Sequence, residues 1–195
     1  AFFYADYTDK QILGSAVIPP FGNLPKLVNI PRSRIYGGEI QAVVRPFVGL
    51  RATAGIAYYN SRVLEDPSNP VDAYGVPTSF VGEELPTSPK WQIVGDAEYG
   101  FDISAHARMF VGGGLTYHSS TYSAFGENPG LLLPAYTLFD ARGGIEAADG
   151  SWRVQLWGKN ITNQFYYLSS SVGGDRLAAL TGMPATYGAT LSFRY

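Results

Sequence analysis

Few residues in this sequence stand where they could do covalent chemistry. His118 and Ser120 are two positions apart, so a strand would hold both on one face near its end. A hydrolase pairs such a serine with a histidine base and needs an acid at matching depth to orient the imidazole. No such acid is evident, and a solvated strand-end histidine is the reading favoured for His118. His106 falls in a turn too far along the strand from His118 to share a metal with it. Glu65, Asp66, Asp72, Glu83 and Glu84 offer oxygen ligands for calcium, but their spacing fits no defined loop, so solvated loop charge is expected. Gly112-Gly113-Gly114 lacks the following helix and basic residue of a phosphate loop, and is read instead as relief of crowding in a curved strand. Asn160-Ile161-Thr162 has the form of a glycosylation acceptor, yet it falls inside a strand pattern where the match is noise. The sequence therefore offers no catalytic, cofactor-binding or metal-binding residues, no cofactor, and no assignable substrate-binding set.

Composition narrows the class further. The 195 residues are 46% hydrophobic and 14% aromatic, with 14 Tyr, no Cys and a formal net charge of −2. A nucleic-acid binder would be basic, and this chain is not. Absence of Cys removes disulfide frameworks and thiolate sites. No stretch approaches the ~20 apolar residues of a spanning helix. The sequence starts on a strand-like Ala1-Phe2-Phe3-Tyr4 without an initiator Met or a basic-then-apolar leader, which reads as a fragment.

The elements that must position any site are strands. Alternation predicts strands over residues 1–11, 34–46, 50–61, 90–102, 108–118, 136–147, 152–162 and 187–195. Residues 12–32, 64–89, 123–134 and 169–185 read as long loops, the first because Gly14, Pro19, Pro20, Gly22, Pro25 and Pro31 break regular structure. Short turns near Val48, Ser104 and Asp149 separate the remaining pairs, the last carrying the Asp149-Gly150 hairpin signal. Long and short connections alternate, so eight antiparallel strands would have every tight turn at one end and every long loop at the other. Transmembrane barrels have that asymmetry.

The faces agree with a membrane wall. In the last strand Tyr187, Ala189, Leu191, Phe193 and Tyr195 fall on one side and Gly188, Thr190, Ser192 and Arg194 on the other. Asp6, Glu39, Arg45, Arg51, Asp96, Glu98, Arg108, Asp140, Arg142, Glu146, Arg153, Lys159 and Arg194 are all expected on the polar face. A Lys or Arg at the lipid midplane costs ~2–4 kcal/mol, which accounts for their exclusion from the other face. Tyr36, Tyr58, Trp91, Tyr117 and Tyr187 stand near the loop ends, and Phe101, Trp152, Phe193 and Tyr195 near the turn ends, as two aromatic girdles. Tyr74, Phe80, Phe125, Tyr167 and the run Leu131-Leu132-Leu133 are expected to pack the loops on one another more than to touch a ligand.

Several longer words resemble one family. Residues 29–39, ending Tyr36-Gly37-Gly38-Glu39, resemble a recurrent strand of TonB-dependent outer-membrane receptor barrels. Ser88-Pro89-Lys90-Trp91, residues 133–142, residues 157–166 (Trp157-Gly158-Lys159-Asn160 onward), Pro184-Ala185-Thr186-Tyr187-Gly188 and Phe193-Arg194-Tyr195 resemble the closing strands of the same family. The resemblance covers the whole chain but only the C-terminal part of such a receptor. It implies a 22-stranded outer-membrane barrel in a Gram-negative bacterium, plugged by an N-terminal domain that is absent here. It also implies active uptake of scarce nutrients, such as ferric siderophores or cobalamin, powered through the TonB complex. Implied partners are outer-membrane lipid, the missing plug and remaining strands, a small-molecule nutrient, and the barrel-assembly machinery at the strand ending in Phe193 and Tyr195. Tyr195 departs from the commoner Phe while keeping the aromatic character.

The fold expectation is all-β: an antiparallel transmembrane segment of about eight meandering strands, open and curved like a half-barrel, with a closed eight-stranded barrel as the alternative. The functional alternatives are a small structural or passive-pore barrel and, third, an outer-membrane hydrolase.

Overall fold

The computed structural model describes residues 1–174 and 176–194. Among the described residues twelve strands are formed: β1 (Phe2–Ile18), β2 (Gly22–Val44), β3 (Leu50–Glu65), β4 (Trp91–Ser104), β5 (Ala107–His118), β6 (Thr121–Tyr122), β7 (Leu132–Leu133), β8 (Tyr136–Ala147), β9 (Trp152–Lys159), β10 (Tyr167–Gly173), β11 (Arg176–Thr181) and β12 (Thr186–Phe193). Eight of them build one sheet in the order β1-β2-β3-β4-β5-β8-β9-β12, each antiparallel to its neighbours. Only one helical element is found among the described residues, a 3-10 turn at Pro129–Leu131. The sheet is open: among the described residues β1 pairs only with β2, and β12 only with β9. Tyr195, expected to end the last strand, lies outside the described residues.

Side-chain alternation explains why these segments are strands. Cross-strand neighbours line up in rows, and Leu191, Val154, Ile145, Met109 and Phe101 form one apolar row over five strands. A row nearer the long loops joins Ile40, Ile56, Ile93 and Tyr117. On the opposite face one row runs Arg51, Glu98, Gly112, Arg142, Trp157 and Gly188. The two faces thus differ in polarity as the period-2 pattern demands.

Three expectations need correction. Residues 12–32 are not a loop: β1 and β2 run on as a two-stranded ribbon whose turn is only Pro19–Phe21, closed by the Phe21 N–H donating to Ile18 O at 2.7 Å. Pro25 and Pro31 are tolerated because β3 pairs with β2 only from Arg32 onward, so this stretch is bonded on one side and a missing donor need cost no ladder bond. Most of residues 169–185, expected as a loop, belongs to the β10–β11 hairpin, which begins at Tyr167 and ends at Thr181. The strand expected over residues 152–162 stops at Lys159, because Asn160 takes up a left-handed conformation, φ 48°, and turns the chain.

Asp6 is the fourth correction. The register pairs Tyr4 with Tyr36 and Asp6 with Arg34, which puts Asp6 on the same side as the aromatic Tyr36. Arg34 Nε donates to Asp6 Oδ1 at 3.0 Å, and both stand beyond Tyr36 toward the long loops. Alternation no longer selects against charge there. Phe3 takes the polar face instead and packs on Tyr59, centroids 5.5 Å apart.

A single sheet has no second layer, so the dry core forms elsewhere. Ile30, Val63, Phe80, Leu85 and Phe125 are buried together at the long-loop end, with Ile12, Val28 and Ile35 packed against them. Residues 82–85 run beside the end of β3, where the Val63 N–H donates to Glu83 O at 3.0 Å and the Gly82 N–H to Val63 O at 2.9 Å.

Candidate functional site

The polar face carries a chain of ion pairs built from four adjacent strands. Asp102 and Arg108 meet at 2.9 Å, Arg108 and Glu146 at 3.8 Å, and Glu146 and Arg153 at 3.0 Å. Arg153 continues to Glu98 at 3.0 Å, Glu98 to Arg142 at 2.8 Å, and Arg142 to Asp96 at 2.6 Å. Phe110 lies beneath, wholly buried, with the Arg153 guanidinium 3.6 Å above its ring. Its ring rests where Gly144 has no side chain, since a Cβ at Gly144 would come within 2.8 Å of Phe110 Cζ. Lys159 pairs with Asp140 at 3.0 Å nearer the long loops. Because the charges along this chain answer one another, this stretch of the face has no strong field of one sign. The expected placement on the polar face holds for the charged strand positions from Glu39 to Lys159; what the sequence did not reveal is that so many of them are linked.

Two open grooves flank the ion pairs. Glu39, Gln41, Thr53, Gln92, Thr116 and Asp140 contribute to the first. Trp157, Lys159, Tyr166, Met183, Thr186 and Thr190 line the second. Trp157 lies against Gly188 and donates from Nε1 to Thr190 Oγ1 at 3.1 Å.

The residues singled out for chemistry are occupied otherwise. His118 stacks on Tyr136, centroids 5.1 Å apart and planes 14° from parallel, and Tyr136 packs on Tyr166 at 4.5 Å. So His118 is a member of a ring stack, half-covered and not simply solvated. His106 sits in the turn between β4 and β5, its carbonyl accepting from the Ala148 N–H at 2.9 Å. No cluster of three metal-ligating side chains occurs among the described residues.

The loop acids are not merely solvated. Asp66 accepts from Ser79 Oγ and the Phe80 N–H, both at 2.7 Å, and Asp72 from the amides of Tyr74 and Val76 at 2.8 and 2.9 Å. Glu65 pairs with Arg32 at 3.2 Å and Glu84 with Lys90 at 2.5 Å. Glu83 Oε2 accepts from the Gly126 N–H at 2.9 Å, and burial pushes its carboxyl above the ordinary range. Phe80 and Phe125 stack at 4.5 Å, and Leu131 and Leu133 are buried, so most of the loop aromatics and leucines do pack. Tyr74 remains half-exposed.

Asn160 is the residue that sequence reasoning undervalued. It is buried; its Nδ2 donates to Gln164 O and Met183 O at 2.9 and 3.0 Å, its Oδ1 accepts from the Gln164 N–H at 2.8 Å, and its own N–H donates to Asp140 Oδ1 at 2.9 Å. Asn160 Nδ2, the nitrogen that a glycan would take, is thus engaged by two carbonyls. Its pairing with Asn163, whose Oδ1 takes the Ala185 N–H at 3.0 Å, was the signal available in the sequence.

A family profile described as "TonB dependent receptor-like, beta-barrel" matches residues 1–161. The chain belongs to the TonB-dependent receptor β-barrel family. Comparison of the sequence with curated proteins gives no match. Among solved structures, the TonB-dependent receptor fold is shared with the ferric yersiniabactin uptake receptor FyuA from Yersinia pestis, at TM-score 0.71 and 17% identity over 96% of this chain and 26% of that one. The siderophore receptor PiuA from Acinetobacter baumannii aligns at TM-score 0.70 and 17% identity, over 100% of this chain and 25% of PiuA. BauA, the ferric preacinetobactin receptor of the same organism, aligns at 0.64 and 19%, over 97% and 26%. The chain therefore spans about a quarter of the length of these receptors. The family and all three neighbours are described as receptors.

Proposed function

We propose that residues 1–195 are the C-terminal part of the barrel domain of an outer-membrane active transporter, with a plug domain elsewhere in the protein. Its cargo is a scarce nutrient of the ferric siderophore or cobalamin kind, and its energy comes through TonB. The observation that carries this reading is the family match over residues 1–161. It is supported by an apolar face fit for lipid, a polar face fit for a lumen, and a sheet left open at β1 and β12. The structural relatives handle ferric yersiniabactin and ferric preacinetobactin, which favours an iron chelate among the candidate cargoes.

The small passive barrel fits less well, since closing eight strands requires β1 to pair with β12. The test is nutrient uptake by Gram-negative cells carrying the full-length protein, with TonB present or deleted. Uptake that needs both the receptor and TonB is expected. Uptake indifferent to TonB, together with steady ion conductance in planar bilayers, would favour the passive pore.

A further inference from the structure

The loops over residues 66–90 and 119–135 meet at one joint. Phe80 and Phe125 stack with planes 14° apart, and the Thr87 N–H donates to Tyr122 O at 2.8 Å. Next to the stacked rings, Glu83 Oε2 holds the Gly126 N–H at 2.9 Å. Gly126 has φ 94°, and a Cβ there would fall 2.6 Å from Asp72 Cβ, so the loops close nearly to backbone contact.

The Glu83 carboxyl is half-buried on the wall of a small pocket shared with Glu84, Lys90, Ser119 and Glu127 and otherwise largely apolar, with Leu85, Trp91 and Leu132 among its walls. Asp66 and Asp72 act on it from its own loop and Glu127 from the other. The cations of the neighbourhood are engaged elsewhere: Lys90 pairs with Glu84, and Arg62 of β3 donates to Gly82 O. A charge on Glu83 thus meets burial and three other carboxylates, while a proton removes both costs.

We propose that this joint is a pH-sensitive latch, locked when Glu83 is protonated and loosened when it ionises. The sign follows from its surroundings. Burial first, then the neighbouring carboxylates, raise the carboxyl's pKa in the closed joint, and the Gly126 hydrogen bond offsets only part of that. A group whose pKa is raised by closure favours closure below its free value and loses that contribution as pH rises through the closed-state value. The latch stands on loop geometry and does not depend on which nutrient is carried.

Hydrogen exchange on the full-length receptor in lipid nanodiscs tests it, with rates expressed relative to the intrinsic chemical rate at each pH. Protection of peptides from both loops should be about fivefold or more higher near pH ~5 than near pH ~8, with β8 unchanged. Glu83→Gln keeps an acceptor for Gly126 without the charge, and should stay protected at both values. Glu127→Gln should reduce the pH response. Equal protection of the wild-type loops at both pH values, an undiminished response in Glu83→Gln, or a matching change in β8 would each overturn the proposal.

Discussion

Arg142 on β8 reaches across the full width of β5 to hold Asp96 on β4, its Nη1 and Nη2 donating to the two carboxylate oxygens at 2.6 and 2.8 Å. Its Nε donates to Glu98 at 2.8 Å in the same reach. The crossing is possible because β5 presents Gly112 and Gly114 on this face. A Cβ at Gly112 would lie 3.0 Å from Arg142 Cζ and 2.7 Å from Ala97 O, whereas one at Gly114 meets nothing nearer than 3.6 Å.

Gly112→Leu should therefore displace the guanidinium and lower stability by ~1–3 kcal/mol through overpacking. Gly114→Ala should be close to neutral. Thermal unfolding of the full-length receptor in detergent, followed by its band shift on unheated gels, measures both.

The two faces differ in what they tolerate. Leu191→Arg and Ile93→Arg put a cation into lipid at a cost of ~2–4 kcal/mol near the midplane. Thr190→Arg and Gln92→Arg put the same group on the polar face. Outer-membrane levels should fall sharply for the first pair and little for the second; equal levels for all four would contradict the parity.

Asn160→Ala leaves Gln164 O and Met183 O without the donor that joins them, at ~1–3 kcal/mol for the buried unpaired groups. Protease cleavage within residues 160–185 should become faster while the β4–β5 hairpin stays resistant. Unchanged cleavage would mean that β12 alone holds this loop.

The turn at Asp149 has its own pH dependence. Ser151 donates to Asp149 Oδ1 from Oγ at 2.7 Å and from its N–H at 2.9 Å, which holds the carboxyl below its ordinary range. A pKa lowered by folding gives stability present above the ordinary carboxylate value and lost as pH falls through the folded value. Protection of the Ser151 amide should hold at neutral pH and drop on acidification, the reverse of the loop joint. Asp149→Ala should leave it unprotected throughout.

Strand positions and faces were legible because lipid on one side and a lumen on the other impose a period of two, and residues such as Glu98, Arg142 and Leu191 obey it. The face of Asp6 was not legible, because beyond Tyr36 the selection that sets parity has ended. Pro25 and Pro31 suggested a loop because a proline's missing donor breaks a strand bonded on both sides, and sequence does not say that β2 is bonded on one. Glu83 and Gly126 are 43 residues apart, and only the folding of two loops brings them together.

The ion pairs crossing β4, β5, β8 and β9 also determine alignment. Strands rich in glycine specify their register weakly; β5 carries Gly112-Gly113-Gly114, and β8 beside it carries Gly143-Gly144 opposite Val111 and Phe110. Were β5 to slip along β8 by one pair of residues, most backbone hydrogen bonds could re-form. Arg142 would then lose the glycine gap beneath it, and Phe110 would lose its seat at Gly144. The charged side chains thus serve the sheet as teeth serve a ratchet, letting the smoothest part of the wall settle in one alignment only.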